Sequence, residues 1–141
     1  MNYIFSTKEL PRYRFPTHIN DLVMDRSEAA ASEVFIVVIE PGSAPPLHQH
    51  DDTEQVFYVL QGEGRLEIGS EQESFTVRPG DVVRIPVATP HTIHNTGGDA
   101  LRYLAIDCFP GGRPGVEPTW DAHVQTICRE QGWDYNEVLE K

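Results

Sequence analysis

The stretch GSAPPLHQHDDTEQVFYVLQG, residues 42–62, places a turn glycine, two prolines, a His-x-His pair and an apolar block in order, and closes on a second glycine. Pro45 and Pro46 hold the backbone extended around the pair. On an extended segment His48 and His50, two residues apart, project from one face, so their imidazoles converge on one point. Helical zinc motifs space their histidines by four, so this pair signals a metal site carried by a sheet. A second stretch, GDVVRIPVATPHTIHN at residues 80–95, adds His91 directly after Pro90.

Outward from these two stretches, residues 33–107 are a series of short Val, Ile, Phe and Tyr runs punctuated by Gly, Pro and Asn, about ten residues apart. No long segment of helical period interrupts them, which predicts an antiparallel sandwich or barrel. The blocks VFIVVI and VFYVL lack clean alternation, so both strands are expected to be covered on both faces, by a second subunit or by the chain's own termini. Residues 1–30 read as an N-terminal arm with one strand near His18–Met24, because Pro11 and Pro16 break any helix. After a barrel at 31–108, residues 109–141 open with a Gly/Pro linker, and the period then changes. Trp120, Val124, Ile127 and Gln131 predict a helix over 120–131, with Thr119 as N-cap and Gly132 as its stop. A second short helix is expected after Asp134.

The chain has 141 residues, 11 basic against 22 acidic, for a net charge of −11. One domain with one core fits that length. The acidic balance excludes nucleic-acid and polybasic membrane binding, and no apolar run approaches the roughly 18 residues of a membrane span. The first residues lack a basic segment followed by an apolar one, so the default address is cytoplasmic. Cys108 and Cys128 are expected to be free structural thiols.

Two motifs in register give the sequence a family resemblance. Gly42, His48-x-His50, position 55 and Gly62 resemble the first motif of the cupin superfamily. Gly80, Pro86-x-Ala88-x-x-His91 and Asn95 resemble the second, with Ala88 where the pattern usually has Gly. The resemblance implies an all-β antiparallel jelly-roll barrel, here with a short C-terminal helical appendage. It also implies one divalent transition metal held by three histidines and a carboxylate. Counting four residues past His50 and six before Gly62 puts Gln55 at the carboxylate position, with Glu54 beside it. The implied ligand set is therefore His48, His50, Gln55 and His91, the choice between Gln55 and Glu54 resting on the count alone. Some cupins resembling this chain, including the pectin-degradation type, use Gln in this slot.

A neutral amide in place of a carboxylate leaves the ion more of its +2 field, which favours Lewis-acid chemistry over a higher oxidation state. Zn, Ni, Fe, Mn and Cu all suit three imidazoles and one oxygen. The motifs identify no catalytic residue. The expected function is metal-dependent isomerase- or lyase-type chemistry on a small carboxylated or carbohydrate-derived compound. Its alternatives are a dioxygenase and a small-molecule-binding cupin without turnover. A homodimer is expected. Substrate contacts are sought among Phe57, Tyr58, Arg65, Arg84, Arg102 and Tyr103, with Arg84 and Arg102 as candidate carboxylate clamps. His94 reads as a loop residue, Asp51 and Asp52 as a solvated turn, and His18 and His123 as structural. Trp120 and Trp133 are expected to pack against the barrel or a second copy.

Overall fold

The computed structural model describes residues 2–140. Its strands are β1 (Arg12–Arg14), β2 (Ile19–Met24), β3 (Ser32–Ile39), β4 (Glu54–Gln61), β5 (Gly64–Ile68), β6 (Glu73–Val77), β7 (Val82–Ile85), β8 (His91–Asn95) and β9 (Leu101–Cys108), followed by helices α1 (Trp120–Gln131) and α2 (Tyr135–Val138). A six-stranded sheet runs β1-β2-β3-β9-β4-β7 and a three-stranded sheet runs β6-β5-β8, with antiparallel pairing throughout. Alternate residues of both sheets, such as Phe35, Val37, Phe57, Val59, Leu66 and Ile93, merge into one core. This is the expected jelly-roll arrangement.

The two doubly apolar blocks behave differently. On β3, Phe35, Val37 and Ile39 enter the core, while Ile36 and Val38 join Ile19 in a second cluster covered by Leu10, Val23, Ala100 and Leu104. The N-terminal arm thus supplies β1, β2 and the outer cover of β3. On β4 the expected double cover is absent among the described residues: Tyr58 is 45% and Leu60 41% exposed, beside Val82 at 66% on β7. The reason is position, because β4 lies one strand from the open edge, beyond the reach of the arm.

The turn from β4 to β5 depends on Gly62. Its φ is +86°, and a Cβ there would stand 2.7 Å from the Ala100 carbonyl oxygen. Backbone strain and the contact add, so Gly62→Ala is expected to cost about 2 kcal/mol or more, read as a lowered midpoint in chemical denaturation.

α1 forms as its period predicts. Thr119 Oγ1 accepts from the Ala122 amide at 3.1 Å, and Gly132 closes the helix at φ +73°. Trp120, Val124 and Cys128 are 1%, 0% and 2% exposed, while Gln131 stays at the surface. Cys108 and Cys128 are both free thiols. The appendage is tied to the arm at the start of α1 and again past α2. Asp25 accepts from the Trp120 amide at 3.1 Å, and the Glu140 amide donates to the Arg12 carbonyl at 2.9 Å. Between them, Arg26 forks onto Glu33 at 2.7 and 2.8 Å and donates to the Glu117 carbonyl at 3.0 Å. Arm and appendage therefore close together over one end of the sandwich, where the histidines lie. No helix among the described residues is long and apolar enough to cross a membrane.

Candidate metal centre

His48 and His50 lie on the extended segment before β4, and His91 opens β8. The segment is fastened to β8 by backbone: the His48 amide donates to the His91 carbonyl at 3.2 Å, and the His91 amide to the His48 carbonyl at 2.9 Å. Behind them, the Ala88 amide donates to the His50 carbonyl at 2.7 Å. Ala88 holds a left-handed backbone, φ +55°, which explains why a glycine suits this position and means that alanine carries about 1–2 kcal/mol of local strain here.

The result is convergence: one ring nitrogen from each of the three histidines lies within 4.8 Å of those of the other two. The ring centroids of His48 and His91 are 4.4 Å apart, and those of His48 and His50 5.0 Å. His48 Nδ1–H donates to the Pro46 carbonyl at 2.7 Å, and His91 Nδ1–H to the Thr89 carbonyl at 2.9 Å. A carbonyl can only accept, so the proton is placed on Nδ1 and the lone pair on Nε2. Burial pushes the rings toward their neutral form, His50 down to about 3 and His91 down to about 4, with His48 also lowered. Neutral imidazole is the form that coordinates a metal.

Register separates Glu54 from Gln55. Gln55 lies on the inward face with Phe57 and Val59, 5% exposed, whereas Glu54 is on the opposite face, registered with Cys108. Gln55 Nε2 donates to Asp107 Oδ1 at 2.8 Å, which leaves Oε1 buried without a partner. His91 Nε2 is likewise buried and unpartnered. Each such atom costs about 1–3 kcal/mol when unsatisfied, and a divalent cation accepts lone pairs from both. The donor set, three neutral imidazoles and an amide oxygen, fits such an ion. Behind Gln55, burial first and then Glu33 raise the Asp107 carboxyl well above the usual carboxylate range, with Gln55 and Arg26 opposing.

The histidines and Gln55 line a cavity of about 420 Å³ together with Phe57 and Tyr103, whose rings are 4.7 Å apart. Arg84 and Arg102 are not brought to it. They register with Val56 and Val38 and so lie on the outer face of the six-stranded sheet, which corrects their reading as carboxylate clamps. Tyr58 also faces outward, and Arg65 pairs with Glu67 at the surface. His94 stands beside Glu67 on β8, away from the cavity.

Other cavity residues were hidden in the arm and the appendage. His18, Asn20, Trp120, His123 and Trp133 all line it, so the structural reading of His18 and His123 is too narrow. Trp120 and Trp133 do pack on the barrel, against Phe35 and Phe15, but also present faces to the cavity. His123 Nδ1–H donates to Glu117 Oε1 at 3.2 Å, and this bond is the main reason that the Glu117 carboxyl is lowered to about 2. The His123 ring lies 6.1 Å from that of His50 and 5.8 Å from that of Trp120. The one sequence signal was the shared helical face of Trp120, His123 and Ile127.

Comparisons with known proteins show the family and the fold. The cupin domain family matches residues 35–107. An uncharacterized protein of Methanocaldococcus jannaschii is 37% identical over 57% of the chain and 62% of its own length. Auxin-binding protein 1 of Arabidopsis thaliana is 32% identical over 62% of the chain and 48% of its own length. The chain thus spans less than two thirds of the length of these curated relatives. A crystal structure described as a predicted oxalate decarboxylase from Thermotoga maritima superposes with a TM-score of 0.68 at 21% identity, covering 76% of this chain and 99% of that one, a likeness of fold.

Proposed function

The chain belongs to the cupin domain family, and from that premise we propose that it is a divalent-metal cupin that acts as a Lewis-acid enzyme on a small molecule. His48, His50, His91 and Gln55 are the residues that would hold the ion. The observation that carries this reading is the pair of buried, unpartnered atoms, His91 Nε2 and Gln55 Oε1, on one cavity wall. When bound, the ion supplies polarisation of a substrate oxygen. The chain's own residues do the rest. Carbonyls of Pro46 and Thr89 orient two rings, Asp107 turns the Gln55 amide so that its oxygen faces inward, and α1 walls one side of the cavity. Arg84 and Arg102, being outside, give no support to a carboxylate clamp.

The reading includes a homodimer, a second copy covering Tyr58, Leu60 and Val82 on the outer face of β4 and β7. A second functional reading, binding without turnover, is favoured by similarity to a protein named for binding auxin. Under it a small molecule incubated with the metal-loaded protein is recovered unchanged.

Elemental analysis of protein purified without added metal is expected to return one divalent transition ion per chain. Oxygen uptake by the iron form would redirect the reading to a dioxygenase. Loss of an outer partner of a metal ligand costs about 10–100-fold in affinity, so Gln55→Ala is expected to cost at least about tenfold. Glu54→Ala is expected to cost nothing in the same zinc titration, and the reverse pattern would transfer the assignment to Glu54.

A further inference from the structure

The walls of the cavity select its ligand. Phe35, Phe57, Tyr103, Trp120 and Trp133 surround the three histidines. Among the described residues no lysine or arginine lines the cavity. The nearest buried cation, Arg26, is already committed to Glu33 and the Glu117 carbonyl. The ionisable groups on the walls other than histidine and tyrosine are all carboxyls: Asp51, Asp52, Asp107, Glu117 and Glu130. An entering anion loses hydration, meets no guanidinium fork and faces like charge. A flat apolar ring instead meets aromatic faces and gains by leaving water.

The side built by α1 and the arm adds polar specificity. With Nδ1 committed to Glu117, His123 keeps Nε2 available for a hydrogen bond, and no described residue is bonded to it. Trp120 Nε1 is a buried donor without a partner, and Asn20 Oδ1 a buried acceptor without one. These groups match a ligand bearing hydroxyls or a carbonyl on a planar frame.

We propose that the cavity takes a planar aromatic compound that carries hydroxyl groups and is uncharged in solution, with one oxygen toward His48, His50 and His91 and a hydroxyl hydrogen-bonded to His123 Nε2. The orientation rests on the metal-centre reading above; the aromatic preference does not. In the metal-free protein the same walls disfavour free dicarboxylates.

The probes are naphthalene-2,3-diol and oxalate, read by quenching of the chain's two tryptophans, both at the cavity, in metal-free and zinc-loaded full-length protein side by side. Metal-free protein is expected to bind the diol saturably and oxalate at least about tenfold more weakly. Removing one hydrogen bond to the ligand, His123→Leu is expected to weaken diol binding about five- to tenfold while zinc affinity is unchanged. His123→Gln, which keeps a polar group on the helix, is run beside it as the variant that preserves folding, and is expected to fall between Leu and wild type. Equal or tighter oxalate binding in the metal-free protein overturns the proposal. Unchanged diol affinity in both variants overturns the role of His123. Failure to bind zinc overturns the metal-centre reading instead, and the metal-free comparison still decides the ligand class.

Discussion

His48→Ala is expected to lose about 100-fold or more in divalent-metal affinity and to leave purification without its ion. The argument starts from charge. Gln55 stands where a carboxylate would otherwise face the ion, so the donors on the cavity wall are neutral and each nitrogen carries a larger share of the binding. His48 is also the hinge of the arrangement. Its backbone pairs with His91 and its ring is oriented by the Pro46 carbonyl, so the imidazole is held ready to coordinate. A competitive zinc titration against a chromophoric chelator measures the loss. Retention of wild-type affinity by His48→Ala would sink the three-histidine assignment. Because the His48 side chain is half-buried beside an open cavity, the variant is expected to stay folded, with an unchanged far-ultraviolet dichroism spectrum.

The second large effect lies one layer behind the site. Glu33 is 0% and Arg26 2% exposed, and their two hydrogen bonds form a buried bidentate pair. Removing one partner leaves an uncompensated buried charge, so Glu33→Ala is expected to cost about 3–5 kcal/mol. Against a usual total of about 5–15 kcal/mol for a domain, that is a large fraction. Arg26 also meets the face of Phe109 at 5.0 Å and holds the Glu117 carbonyl, so the segment leading into α1 loosens with it. The double variant Arg26→Met/Glu33→Leu removes both charges and fills the space, and is expected to lose clearly less than Glu33→Ala alone. Denaturation midpoints of Glu33→Ala and the double variant test this, and a Glu33→Ala loss below about 1 kcal/mol would refute it.

The same pair explains a feature of the centre. A carboxyl is not missing from this region but stands behind the amide that takes its place toward the histidines. Asp107 and Glu33 lie behind Gln55, with Arg26 beyond them. A charged glutamate at 55 would add a third carboxyl to a buried pair, and the neutral amide instead donates a hydrogen bond to it. His-x-His, Pro45, Pro46 and the glycine spacing made the first part of this legible in sequence. The backing layer was illegible, because Arg26, Glu33 and Asp107 stand far apart in the chain and look like ordinary surface charges.

Local chemistry determined what could be read from one segment at a time. The strand runs, the His48 and His50 pair and the capped helix from Trp120 to Gln131 follow from dihedral preference and spacing, while the third histidine's role and the count that reached Gln55 came from the resemblance to the cupin motifs. Only tertiary structure decided facing and neighbourhood. It turned Arg84 and Arg102 outward, left Tyr58 and Leu60 uncovered, buried Arg26 against Glu33, and brought His18 and His123 from opposite ends of the chain to one cavity. The physical reason is that periodicity fixes the angle between successive side chains but not which face meets the core. That choice is made when sheets pair and the arm and appendage close over them, by contacts between residues as distant in the chain as Arg12 and Glu140.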